Sequence, residues 1–254
     1  MPEPRHGIFL APFDELSEPA RVAELAARAE QAGWDGFFVW DHVEYRDPVR
    51  GVADPWITLA AVAVATERVT IGPMVTPLAR RRPHQLARET VTLDRLSGGR
   101  LVLGAGLGSP NTPEFRPERF GEEGDPKARA VLLDDGLEKL ASYWDGDFEP
   151  RPVQQPRIPV WIASRWPSRR PLRRAARWDG MFPIELPGPD ALAELVAEAQ
   201  SLRNVFAPFD VVVENAPGTE SAPWVAAGAT WCLTSFGPQP IRAEVEAAID
   251  AGPS

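Results

Sequence analysis

Eight times along this chain, a short apolar run rich in β-branched and aromatic residues gives way to a longer segment with helical patterning. That alternation restricts the fold more than any other feature. Parallel strands joined by helices need right-handed crossovers, which leaves few topologies, and eight such units close into a barrel. An open doubly wound sheet is the alternative. No Gly-x-Gly-x-x-Gly stretch follows the first strand, which argues against it. The expected fold class is α/β, a (β/α)8 TIM barrel, with residues 1–254 as a single domain and no linker, repeat or low-complexity segment.

The strands are read at 6–11, 36–40, 69–75, 100–106, 158–163, 180–184, 210–214 and 229–233. Ser17 is expected to cap the first helix, with Pro19 in its first turn and Gly33 as its stop. Asp54-Pro55 opens the second by the cap-plus-proline rule. The third starts near Pro83 and ends at Ser97-Gly98-Gly99. A long loop, 107–126, precedes a helix at 127–144. An arginine-rich helix starts at Ser168, and others cover 189–203 and 241–251. Only an abbreviated helix fits between the seventh strand and Gly228.

The net charge of −9 argues against a nucleic-acid or anionic-membrane partner, either of which would want a basic face. One cysteine, Cys232, excludes an internal disulfide and a cysteine-built metal site, and no His or carboxylate pair has metal-ligand spacing. The apolar runs are far short of a membrane span and the N-terminal stretch carries no extended apolar region, so a cytoplasmic location is expected.

A barrel of this kind carries its chemistry at the C-terminal ends of the strands. Trp40-Asp41-His42 ends strand two. A carboxylate beside an imidazole can orient it and suit it to proton transfer near neutral pH. Elsewhere such a pair is more often a structural hydrogen bond; the strand-end position is what promotes it. After strand four, Gly104-Ala105-Gly106-Leu107-Gly108 would let the backbone approach a flat ring closely. The preceding Ser97-Gly98-Gly99-Arg100 lies at the opposite, stability face and reads as a helix stop. After strand five, Ser164-Arg165-Trp166-Pro167-Ser168 combines hydroxyls and arginines into a phosphate site or, equally, a solvated basic helix.

These segments, in this order, resemble the luciferase-like monooxygenase family of flavin- and deazaflavin-dependent oxidoreductases. The carrying stretches are Ala32-Gly33-Trp34-Asp35-Gly36 through Trp40-Asp41-His42, Arg68 through Met74-Val75-Thr76-Pro77, Asp94-Arg95-Leu96-Ser97-Gly98-Gly99-Arg100, the Gly104–Gly108 glycines, Pro159-Val160-Trp161-Ile162-Ala163 and Trp178-Asp179-Gly180. The resemblance implies a flavin or deazaflavin ring at the strand ends, backed by a non-prolyl cis peptide at Met74-Val75. The cofactor would touch Asp41, Met74, Val75, Thr76, Gly106 and Gly108. Its phosphate would lie by Ala163, Ser164, Arg165 and the Ser168 turn. His42 would move a proton to or from substrate, with Asp41 holding cofactor or histidine.

The resemblance also implies a small-molecule substrate, handled by hydride transfer or oxygen activation, and a homodimer. The Trp-Asp-His ending is closer to the deazaflavin (F420) branch than to the FMN luciferases. Ser109-Pro110 stands where sugar dehydrogenases of the deazaflavin branch carry a glutamate, which argues against a sugar-phosphate substrate. The trimmed stretch after strand seven implies a reduced lid, which would shield oxygen chemistry poorly from water. The shortened chain and the missing acid keep open a second reading, a non-catalytic flavin-binding or assembly protein on the same barrel.

Overall fold

A computed structural model describes residues 3–109, 111–203 and 207–253. Its strands are β1 (Arg5–Leu10), β2 (Gly36–Val39), β3 (Thr70–Pro73), β4 (Thr76–Pro77), β5 (Leu103–Gly106), β6 (Val160–Arg165), β7 (Gly180–Ile184), β8 (Asp210–Asn215) and β9 (Trp231–Ser235). All pair in parallel, in the order β3-β2-β1-β9-β8-β7-β6-β5-β4. β3 and β4 are two halves of one barrel position, interrupted at the cis peptide Met74-Val75. A parallel bridge from Ile71 to Leu101 closes the ring, so the nine segments occupy eight positions of a (β/α)8 barrel.

The barrel interior is unusually aromatic. Phe38, Trp161 and Trp231 pack there with ring centroids 5.5, 5.6 and 5.5 Å apart. Such bulk fits only because Gly36 faces them; a Cβ there would sit 2.8 Å from the Trp231 ring. The larger apolar cluster lies between the sheet and its helices, so the strands are buried on both faces, by the helices outside and by the barrel interior within.

Those helices are α1 (Pro19–Gln31), α2 (Pro55–Ala65), α3 (Pro83–Leu96), α4 (Pro117–Phe120), α5 (Pro126–Asp145), α6 (Arg170–Ala175), α7 (Pro189–Leu202), α8 (Ala222–Ala226) and α9 (Arg242–Ala251). Proline stands in the first turn of eight of them, where its missing N–H costs nothing. Asp54 caps α2 through the Ile57 N–H at 2.8 Å, as its sequence suggested. Ser17 does not cap α1. Its hydroxyl donates to the Asp14 carbonyl at 2.7 Å, closing a 3-10 turn, and Glu18 takes the cap position without a side-chain bond. The helix expected from Ser168 is only six residues, Arg170–Ala175. α8 is the abbreviated helix expected after the seventh barrel strand.

The turn after α3 is structural, as read. Gly98 and Gly99 hold positive φ, and the Arg100 guanidinium donates to the carbonyls of Ala63, Thr66 and Val69 at 2.8, 3.0 and 3.0 Å. This ties α2 to the N-terminal face of the barrel. At the other face the loop after β5 folds back over the strand ends through a 3-10 turn at Pro113–Phe115 and α4.

Candidate active site

A cavity of about 570 Å³ opens where the strands end. Phe9, Trp40, Tyr45 and Phe182 give it an aromatic wall, while Met74, Val75 and Ala163 form a second apolar side. Of the residues singled out in the sequence, Asp41, His42, Met74, Val75, Gly108, Ala163, Ser164 and Arg165 line it. Thr76 and Gly106 are buried behind the lining. A Cβ on Gly106 would come 2.9 Å from Val75, so this glycine makes room for the Met74-Val75 turn. Gly108 has φ +76, and a side chain there would overlap the Phe115 ring.

Asp41 and His42 do not form a pair. Successive side chains of an extended segment point to opposite sides, and here Trp40 and His42 share one side, their rings 5.9 Å apart. The Asp41 carboxylate turns toward the start of α3. It accepts from Arg80 at 2.5 Å, from Arg81 at 3.1 Å on each oxygen, and from the Thr76 hydroxyl at 2.8 Å. Its side chain is fully buried. The 3-10 turn at Leu78–Arg80, directly after β4, delivers the first arginine.

The carboxylate that does meet His42 is Glu114, 72 residues downstream. Its Oε1 lies 3.0 Å from His42 Nδ1, and its Oε2 accepts from the Val43 N–H at 2.9 Å and from Arg80 at 2.8 Å. The side chain is 0% exposed. Burial alone pushes this carboxyl up. The hydrogen bond and charge of His42, the charge of Arg80 and the Val43 N–H outweigh it, so the carboxyl sits below its ordinary value. With Nδ1 taken by Glu114, Nε2 is the imidazole nitrogen available to the cavity.

Two further donors point to a ligand. The indole N–H of Trp40 is buried beside the cavity without a partner among the described residues. Arg129, in the first turn of α5, is 1% exposed and has no carboxylate within ion-pair distance among the described residues. It donates once, to the Leu107 carbonyl at 3.0 Å, and its guanidinium stacks 4.2 Å from the Phe115 ring centre. Its Nε has no partner among those residues. Burial works against its charge, and the charges of Glu123, Asp125 and Glu114 offset part of that cost.

The expected phosphate residue Arg165 is differently placed. Its guanidinium is bonded to Glu185, and Glu214 on the adjoining wall also feels its charge. Burial pushes the Glu214 carboxyl up, against a Ser235 hydrogen bond and the Arg165 charge. Ser164 is buried and lines the cavity, and the Ser168 N–H closes a turn on the Arg165 carbonyl at 2.9 Å. Ser109 also lines the cavity; Pro110 lies outside the described residues. Among the described residues no group of acids, histidines or cysteine could hold a metal ion. No helix is long and apolar enough to cross a membrane.

Residues 6–215 match the model of a family described as luciferase-like monooxygenase. An uncharacterized protein of Mycobacterium tuberculosis is 30% identical over 191 residues, covering 63% of this chain and 64% of that protein. An F420-dependent glucose-6-phosphate dehydrogenase of Amycolatopsis mediterranei is 35% identical over 167 residues, covering 59% of this chain and 49% of that one. The chain thus spans between about half and two thirds of the length of these curated relatives. An F420-dependent secondary alcohol dehydrogenase superposes over 98% of this chain and 96% of its own with a TM-score of 0.78. At 17% identity that likeness is one of fold. With the match running through every barrel strand up to β8, the chain belongs to the luciferase-like monooxygenase family.

Proposed function

We propose that this protein is a flavin- or deazaflavin-dependent oxidoreductase acting on a small organic substrate, with F420 as its cofactor. The observation that carries the reading is the cavity itself. It combines an imidazole held at one nitrogen with a buried guanidinium that has no ion-paired carboxylate among the described residues, between apolar walls. Relatives that depend on F420 support the choice of cofactor.

The residues fit such a group. Its phosphate would be met by Arg129 and the Ser164 hydroxyl, and not by Arg165, which is already bonded to Glu185. The ring would lie against Met74-Val75 and Ala163, with the free Trp40 N–H as a donor at its edge. When bound, F420 supplies hydride transfer; FMN would supply oxygen chemistry instead. The chain's own part is to bind, to orient and to move a proton at His42. Asp41 anchors Arg80 and Arg81 behind the wall. With Glu185 and Glu214 flanking Arg165, that end of the cavity suits neutral or hydrogen-bond-donating substrates better than a sugar phosphate. Glu114 supplies a carboxylate directly behind His42, which weakens the motive for a binding-only protein.

The reading includes a homodimer. Ile57 and Val64 leave an apolar stripe on α2, 65% and 74% exposed, suited to meeting its own copy across a two-fold axis. The test of the catalytic assignment is His42→Ala in the cofactor-loaded protein. Turnover is expected to fall about 10²–10⁴-fold with cofactor affinity nearly unchanged. Turnover near that of the wild type would remove His42 from the mechanism.

A further inference from the structure

Glu114 uses both of its oxygens as acceptors, and two of its three partners can only donate. Arg80 and the Val43 N–H share Oε2, at 2.8 and 2.9 Å. His42 Nδ1 faces Oε1 at 3.0 Å. A buried carboxylate that accepts from the permanently charged Arg80 guanidinium and from a backbone N–H is ionised at neutral pH. An ionised carboxylate has no hydrogen to give, so the nitrogen facing it must carry one.

We propose that Glu114 is a positioning residue that locks His42 in its Nδ1–H tautomer, so that the Nε2 lone pair faces the cavity. The inference rests on the reading of His42 as the proton carrier and says which way it is primed. A neutral imidazole with a free Nε2 lone pair accepts a proton from a bound group; the opposite tautomer presents an N–H and cannot. The bound group that fits the resting protein is therefore a hydrogen-bond donor, a substrate hydroxyl or N–H.

The arrangement makes a sharp demand on one variant. Glutamine at position 114 has a single oxygen. Two donors converge on the Oε2 position, so the amide oxygen is expected to stay there and turn the NH2 toward His42. A donor facing Nδ1 requires an acceptor, and the imidazole must switch to the Nε2–H tautomer. Glu114→Gln is thus expected to invert the tautomer with little change of shape.

The chain has three histidines, His6, His42 and His84, so the imidazole signals can be resolved and His42 assigned from the signal lost in His42→Ala. Two-bond ¹H–¹⁵N correlation spectra of the whole, ¹⁵N-labelled protein, without ligand and in mildly alkaline buffer, report each tautomer directly. The wild type is expected to show the Nδ1–H pattern and Glu114→Gln the Nε2–H pattern. An Nε2–H pattern in the wild type overturns the proposal outright, and so decides the matter even if the variant fails to fold. A folded Glu114→Gln with the wild-type pattern also overturns it. These spectra need no substrate. They separate from the turnover test of His42→Ala, whose failure would sink the proton-carrier reading while leaving the tautomer result intact.

Discussion

A carboxylate as buried as that of Glu114 is tolerable only while its compensating charges stay in place. Arg80 holds both Glu114 and Asp41, all three side chains being 5% exposed or less. Arg80→Met would leave two buried acids short of a counter-charge, with an expected cost of about 3–5 kcal/mol, read by urea denaturation. The pH dependence has a definite sign. The Glu114 carboxyl in the folded protein lies below its ordinary value of 4.5, so its contribution is present above that value and fades as pH falls through the folded one. The Tm difference between wild type and Glu114→Gln is expected to be largest near neutrality and to shrink on acidification below about pH 4. A difference constant across that range would contradict the assignment of ionised Glu114. His42 was legible in the sequence because it ends a barrel strand. Glu114 was not: Glu118, Glu122 and Glu123 stand in the same loop, and only the fold chooses among them.

At the scale of elements, the parallel barrel follows from periodicity, and the strands lie within one to three residues of where their apolar runs put them. The breaks came from local competition. Ser17 bonds back to Asp14 instead of capping α1, and Pro167 in the turn after β6 delays the helix to Arg170. α5 carries the more consequential residue. Asp125 caps it through the N–H groups of Lys127 and Ala128, both at 3.2 Å, and this fixes the turn that carries Arg129 toward the cavity. In the sequence Arg129 is one arginine among many; its lack of a carboxylate partner among the described residues is a tertiary fact. Arg129→Ala is expected to weaken F420 binding tenfold or more, since a charge-assisted contact contributes about 1.5–3 kcal/mol. The Tm of the ligand-free protein should change little, because the burial cost removed with the guanidinium offsets the lost Leu107 hydrogen bond and Phe115 stacking. A large loss of stability with unchanged affinity would make Arg129 a structural residue.

For the whole molecule, a net charge of −9 surrounds a cavity in which Arg129 is the arginine proposed to meet an anion. α2 carries an apolar stripe, Ile57 and Val64, that stays exposed among the described residues. Ile57→Glu combined with Val64→Glu is expected to halve the mass seen by light scattering, while a wild type already monomeric at micromolar concentration would remove the homodimer. The central claim, that the cavity binds a flavin-type cofactor and prefers F420, is tested most directly by titrating the protein separately with F420 and with FMN and following absorbance and fluorescence. Saturable F420 binding at one per chain is expected, weaker for FMN and weaker for Arg129→Ala. Binding of neither cofactor by folded protein would contradict the account.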